Sequence, residues 1–179
     1  MARLMPLLMF AAFVSVPASA QGPVSIAPGE SLLLQVSDRG SATVEARGAA
    51  PALTPFDTRA VRDMVGSPTP PSGTIAPARG INDEGAKAVP PAPGRLRVTF
   101  RTLPGKSAKD SVLAVENGYE LAVRYRVVIH VGPRSGATDV CIVPPGKRGY
   151  EHWPYAIDRL DVGGFQFVAW KEGDPITCD

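Results

Sequence analysis

The chain has 179 residues, with 19 Lys and Arg against 17 Asp and Glu, and a formal net charge of +2. So even a balance excludes a nucleic-acid binder of the basic-patch kind and a strongly anionic partner.

The first twenty residues, MARLMPLLMFAAFVSVPASA, carry one arginine, no acid, an apolar run over 4–16, and Pro17 just before Ala18-Ser19-Ala20. That order of charge, apolar stretch and small-residue exit predicts a secretory signal peptide over 1–20, cleaved after Ala20. The protein is therefore expected to be exported, periplasmic or secreted. The apolar run is shorter than an ordinary span, and no later stretch reaches the roughly 18 to 20 apolar residues a spanning helix needs, so no membrane span is expected. Gln21 stands where a lipoprotein would carry cysteine. Cleavage removes Arg3 and lowers the formal charge to +1.

Residues 21–48 read as an N-terminal β-hairpin. SLLLQV and ATVEAR flank SDRGS, whose Asp, Gly and Ser favour a turn. Leu32, Leu34 and Val36 alternate with their neighbours, as do Ala42, Val44 and Ala46. Two strands alone are marginal in water, so the hairpin is expected to pack on the sheets of the C-terminal part. Residues 49–94 hold nine of the 19 prolines, with Gly, Ala, Ser and Thr between them, and read as a linker or extended wrap. Within it, TPFDTRAVRDMVG places Phe56, Ala60, Val61 and Met64 at helical spacing, and Thr54 or Asp57 is positioned to cap a short helix.

From residue 95 onward the period-2 signal persists. RLRVTFR sets Leu96, Val98 and Phe100 against Arg95, Arg97, Thr99 and Arg101, and YELAVRYRVVIHV carries one apolar face from Tyr119 to Val131. Asn117-Gly118 predicts a tight turn making SVLAV and that long run antiparallel neighbours, and Gly163-Gly164 predicts a hairpin between DRLDV and FQFVAW. With TDVCIV as a further short strand, the expected fold is all-β: an immunoglobulin-like two-sheet antiparallel β-sandwich over 95–179, preceded by the Pro-rich linker and the N-terminal β-hairpin.

Cys141 and Cys178 are an even count in an exported chain and predict a disulfide that staples the C-terminal TCD onto the body. Closing such a loop stabilises the fold by about 4 kcal/mol in the chain-entropy picture. His130, Cys141, His152 and Cys178 would complete a zinc ligand set, yet they stand ten or more residues apart, where structural zinc sites take paired ligands from one tight turn. No metal and no cofactor are expected. The sequence holds no G-x-S-x-G elbow and no S-x-x-K. LPGKS lacks the first glycine of a phosphate loop, Phe100 standing in its place. Asp158 and Asp161, three apart on a strand, point to opposite faces and read as surface charge.

The candidate binding surface is the stretch PPGKRGYEHWPY. Pro144-Pro145-Gly146 turns the chain, Lys147 and Arg148 are placed at an exposed tip, and Tyr150, Trp153 and Tyr155 follow around Pro154. Such aromatics either fold back and seal one end of the sandwich, which is the commoner outcome, or stay outside as a stacking platform for sugars or peptides. Arg95, Arg97, Arg101, Arg124 and Arg126 form a second candidate surface, although such charges commonly just solvate a sheet face.

TDVCIVPPGKRGYEHWPYAIDRLDV and VENGYELAVRYRVVI together resemble small exported bacterial proteins of unknown function with an immunoglobulin-like β-sandwich, over residues 95–179. The resemblance brings no activity and no functional residue with it. The sequence therefore points to a non-catalytic cell-envelope module binding a protein or glycan partner, with no nucleic acid involved. The alternative is an envelope hydrolase or metal-dependent enzyme using Cys141 and His152.

Overall fold

Alternation puts Leu96, Val98 and Phe100 on one side of a strand and Arg97, Thr99 and Arg101 on the other, and the same division organises both sheets. The computed structural model describes residues 19–20, 22–66, 92–104 and 109–178, with the backbone alone at 19–20 and 63–66. Its elements are β1 Ser19–Ala20, β2 Val24–Ile26, β3 Glu30–Val36, β4 Ala42–Ala49, α1 Pro55–Gly66, β5 Leu96–Pro104, β6 Lys109–Asn117, β7 Ala122–Val131, β8 Arg134–Thr138, β9 Arg148–Trp153 and β10 Arg159–Val168. The signal-peptide body (1–18), most of the proline-rich stretch (67–91), the end of LPGKS (within 105–108) and the Met64 side chain lie outside the described residues.

The fold is an all-β two-sheet sandwich. One sheet runs β1-β4-β3-β5-β6-β9 and the other β2-β10-β7-β8, every pairing antiparallel. The inward residues are those the alternation singles out. Leu32, Leu34, Leu96, Val98 and Phe100 from the first sheet meet Val123, Tyr125, Val127, Leu160 and Val162 from the second, each at most 2% exposed. β1 is only two residues long and belongs to the expected signal peptide, so cleavage leaves β4 as the sheet edge, still paired along its length with β3.

The hairpin β3–β4 forms as expected, its turn closed by Ser37 N donating to Ser41 O (2.9 Å) and Gly40 N to Ser37 O (2.8 Å). Gly40 has φ 78°, a conformation that L side chains resist. Because β3 pairs directly with β5, this hairpin is integral to the first sheet. β2, a few residues earlier, belongs to the second sheet beside β10. The described residues of 21–48 and 95–179 thus build a single sandwich.

Two turn expectations and one strand expectation are corrected. Asn117-Gly118 does not make β6 and β7 neighbours: β6 lies between β5 and β9, and β7 belongs to the other sheet. Here the dipeptide carries the chain across the sandwich. Asn117, fully buried, donates through Nδ2 to the carbonyls of Leu121, Val143 and Pro144, and its Oδ1 accepts from Tyr119 N. At Gly118 a Cβ would lie 1.8 Å from Ala92 O, so the glycine is required by close backbone approach. Gly118→Ala is expected to destabilise the protein by at least about 1–3 kcal/mol, read by denaturant unfolding; parental stability would contradict that approach.

Gly163-Gly164 likewise sits inside one continuous strand, β10, where the pairing with β7 shifts register between Gly163 and Gln166. Gly164 has φ 60°, and a Cβ on Gly163 would press on Pro23. The pair marks a bulge, the other common use of glycine in a strand. TDVCIV is not a full strand either. Cys141 and Val143 make isolated bridges to Cys178 and Val123, whereas RSGAT (β8) and RGYEHW (β9) are strands the alternation did not signal.

The short helix is α1. Thr54 is its N-cap, Pro55 occupies the first helical position and Asp57 the third. Thr54 Oγ1 accepts from Asp57 N (3.1 Å), while Thr54 N donates to Asp57 Oδ2 (3.2 Å), which is a capping box closed by aspartate. Phe56, Ala60 and Val61 are buried against Val112 and Tyr150, so α1 covers part of the outer face of the first sheet.

Candidate functional site

Since Leu96, Val98 and Phe100 face the core, Arg97, Thr99 and Arg101 face outward beneath α1, beside Val112, Ala114 and Glu116 of β6 and Arg148 and Tyr150 of β9. Register sets Arg97 directly opposite Glu116 and Glu116 directly opposite Arg148. The result is a cross-strand row of cation, anion and cation. Between this face, α1 and the extended stretch 51–54 lies a cleft of about 310 Å³.

Asp57 is the link between helix and sheet. Its Oδ1 accepts from both Arg148 Nη1 and Tyr150 OH, while Oδ2 takes the Thr54 hydroxyl at 2.6 Å. Arg148 Nη2 reaches Glu116 Oε1 at 3.1 Å. Burial alone would raise the Asp57 carboxyl, but the bonds from Thr54 and Tyr150 and the Arg148 charge hold it below its usual value of 3.8. Burial and the Asp57 carboxylate push the Tyr150 phenol well up. Burial would lower Arg148, yet Glu116, Tyr150 and Asp57 outweigh it and raise it. This is a guanidinium kept charged in a partly dry setting, as a buried ion pair requires.

The lowered carboxyl fixes the sign of a pH effect. A group whose folded pKa is depressed contributes stability above its unfolded value and loses it as pH falls through the folded one. Asp57 is therefore expected to stabilise the parent from neutral pH down to about 4, with the gain fading below 3.8. Denaturant titrations of parent and Asp57→Asn should show a stability gap at pH 7 that narrows toward pH 2. A gap constant with pH would mean that the Asp57 carboxylate does not link α1 to the sheet.

The other sequence candidates scatter. Arg148 is 9% exposed and lies under α1, not at an exposed tip as expected; only Lys147, half-buried, remains at the turn. The burial of Arg148 follows from its place in β9, a segment whose sequence points to a turn and loop. Tyr150 faces α1, Trp153 points into the core and donates to Thr138 Oγ1 at 3.1 Å, and Tyr155 is 43% exposed beside Ile129 and Val131 of the second sheet. These three aromatics form no common stacking surface. Nor do the five arginines form one patch: Arg95, Arg97 and Arg101 stand on the outer face of the first sheet, Arg124 and Arg126 on that of the second.

Cys141 is bonded to Cys178, and Ile142 N donates to Thr177 O at 3.0 Å, so the C-terminal strand end is stapled as expected. Cys141 N donates to Glu151 Oε1 (2.9 Å), and Glu151 also accepts from Tyr125 OH (3.4 Å) inside the sandwich. His152, the next residue, faces the other way and pairs with Asp110 at 2.8 Å. The Cys141/His152 dyad is thus not assembled. His130 is farther still, on the outer face of the second sheet with Asp161 (2.7 Å) and Arg159. Asp161, read from sequence as surface charge, also accepts from Ser25 and is held below its usual value; burial opposes this, and the bonds from Ser25 and His130 outweigh it. Asp158 Oδ2 accepts from Gly132 N at 2.7 Å.

Glu116 and the pairing role of Asp57 were missed by sequence reasoning. The signal for Glu116 was its outward parity opposite Arg97; nothing local joined Asp57 to Arg148, 91 positions later. Comparison of the chain with protein-family models, with curated proteins and with solved structures gives no match.

Proposed function

We propose that this chain is an exported, non-catalytic cell-envelope module that binds a protein partner through the cleft beneath α1. The observation that carries the reading is the gathering of Arg97, Arg101, Arg148, Asp57 and Glu116 around one open cleft on a sheet face that is otherwise covered by a helix. Polar groups converging in a concave site are the usual mark of a binding surface. Export is supported by the signal-like N-terminus and by the Cys141–Cys178 disulfide, a bond kept in oxidising compartments. No helix among the described residues is long and apolar enough to cross a membrane, which fits a module working beside the membrane. The immunoglobulin-like form and a place among small exported bacterial proteins of unknown function belong to the same reading, supported by the two-sheet sandwich. A protein is favoured over a glycan because Tyr150, the aromatic among the described residues lining the cleft, is buried and offers no exposed face on which sugars stack.

Site-directed photo-crosslinking in the native envelope tests this. A crosslinker at exposed Ala52, on the cleft rim, should capture one protein, and one at exposed Gln166, on the other sheet, should not. Equal capture from both positions, or capture of glycan alone, would overturn the reading.

A further inference from the structure

Both carboxylates of the cleft are already engaged, Asp57 by Arg148 and Tyr150, and Glu116 by Arg148. The remaining cations are not matched in the same way. Arg97 stands 4.0 Å from Glu116, past hydrogen-bond reach, with its side chain 37% exposed. Among the described residues Arg101 gives one N–H to the Pro51 carbonyl, and a guanidinium has five to give. Burial disfavours the charged form of Arg101 and Asp57 offsets this in part, so among the described residues an arriving anion meets a cation short of compensation.

We propose that the cleft binds one carboxylate of an extended peptide between Arg97 and Arg101, with the adjoining apolar side chain laid on half-buried Leu53 and Ala114. This rests on the binding-module reading above and names its ligand chemistry. Guanidinium forks match a carboxylate in geometry and charge. Among the described residues lining the cleft, three guanidiniums against two carboxylates leave a surplus of one, which suits a monoanion; a phosphate, at nearly two charges, would also face Asp57 and Glu116. The volume, about 310 Å³, is at the small end for ligand sites and fits one or two residues better than an oligosaccharide. Tyr150, the aromatic residue lining the cleft, is 2% exposed and its hydroxyl is held by Asp57, so it offers a sugar no stacking face.

The test uses protein purified from cells expressing the full chain, ¹⁵N-labelled, with calorimetry and the arginine Nε–Hε signals as readouts. The probes are N-acetyl-Ala-Leu with a free terminus, the same peptide as its amide, and N-acetyl-Ala-Glu amide. At least one of the two acids should bind and shift the Arg97 and Arg101 signals; the first against the third tells a terminal from a side-chain carboxylate. The neutral amide should bind about tenfold more weakly, and Arg97→Gln and Arg101→Gln should each cost about tenfold in affinity at unchanged Tm. Equal binding of acid and amide, binding of neither acid, or a trigalacturonate that shifts the two arginine signals where the acids do not would overturn the proposal. If Ala52 still captures its protein while neither acid binds, the carboxylate assignment alone falls; loss of that capture specificity brings down the module reading too.

Discussion

Trp153→Ala is expected to lower the unfolding free energy by about 3–5 kcal/mol, the range for deleting a large buried aromatic. Trp153 is 7% exposed and sits in the core cluster that joins the two sheets. Its indole N–H is satisfied by Thr138 Oγ1, so the substitution leaves a cavity and also strips a donor from the end of β8. β9 is an edge strand held by β6 on one side, which leaves little backbone pairing to compensate. Chemical denaturation of the variant should show the loss, and capture from Ala52 should persist under conditions where the variant is folded. A variant that melts like its parent but no longer engages its partner would place Trp153 on the binding surface.

Loss of the disulfide should be nearly as large. Cys141 and Cys178 are 37 residues apart in sequence, and opening a loop of that size costs about 4 kcal/mol in the chain-entropy account. That is a large share of a domain's typical stability of about 5–15 kcal/mol. The local consequences are specific. Cys141 N donates to the buried carboxylate of Glu151, whose Tyr125 partner stands on the opposite sheet. Burial and the Glu151 charge push the Tyr125 phenol far up, so it remains a donor to the carboxylate. Freed from Cys178, the 140–143 segment should loosen its hold on this pair. Cys178→Ser or reduction should therefore lower the denaturation midpoint and increase exchange at the Cys141 and Ile142 amides. A thiol assay on untreated, denatured protein should read zero; one or two reactive thiols would reopen the catalytic alternative.

Legibility differed by residue. Leu96, Val98 and Phe100, and likewise Val123, Tyr125 and Val127, were readable because side chains alternate with period 2 whatever the partner strand. α1 was readable because Thr54, Pro55 and Asp57 form a start signal within four residues. β9 was not, since an edge strand whose outer face is covered by a helix carries Arg, Tyr and His outward and Gly, Glu and Trp inward, which erases the polar–apolar alternation. Arg148 was expected at an exposed tip and belongs instead to a covered sheet face; Tyr150 is buried, as the sealing alternative has it, but against α1 rather than at one end of the sandwich.

By itself the sequence determined that the strongly alternating segments are extended, which face of them is apolar, where the short helix starts, and which two cysteines are available to pair. Those properties are local, written in spacing and residue type within a few positions. Only the tertiary structure decided that Asn117-Gly118 crosses between sheets, that Gly163-Gly164 bulges a single strand, and that Asp57 meets Arg148. Each of those outcomes depends on a backbone or side chain distant in sequence, Ala92 O at Gly118, Pro23 at Gly163 and Arg148 at Asp57, and a glycine or a charge carries no local mark of the partner it will meet.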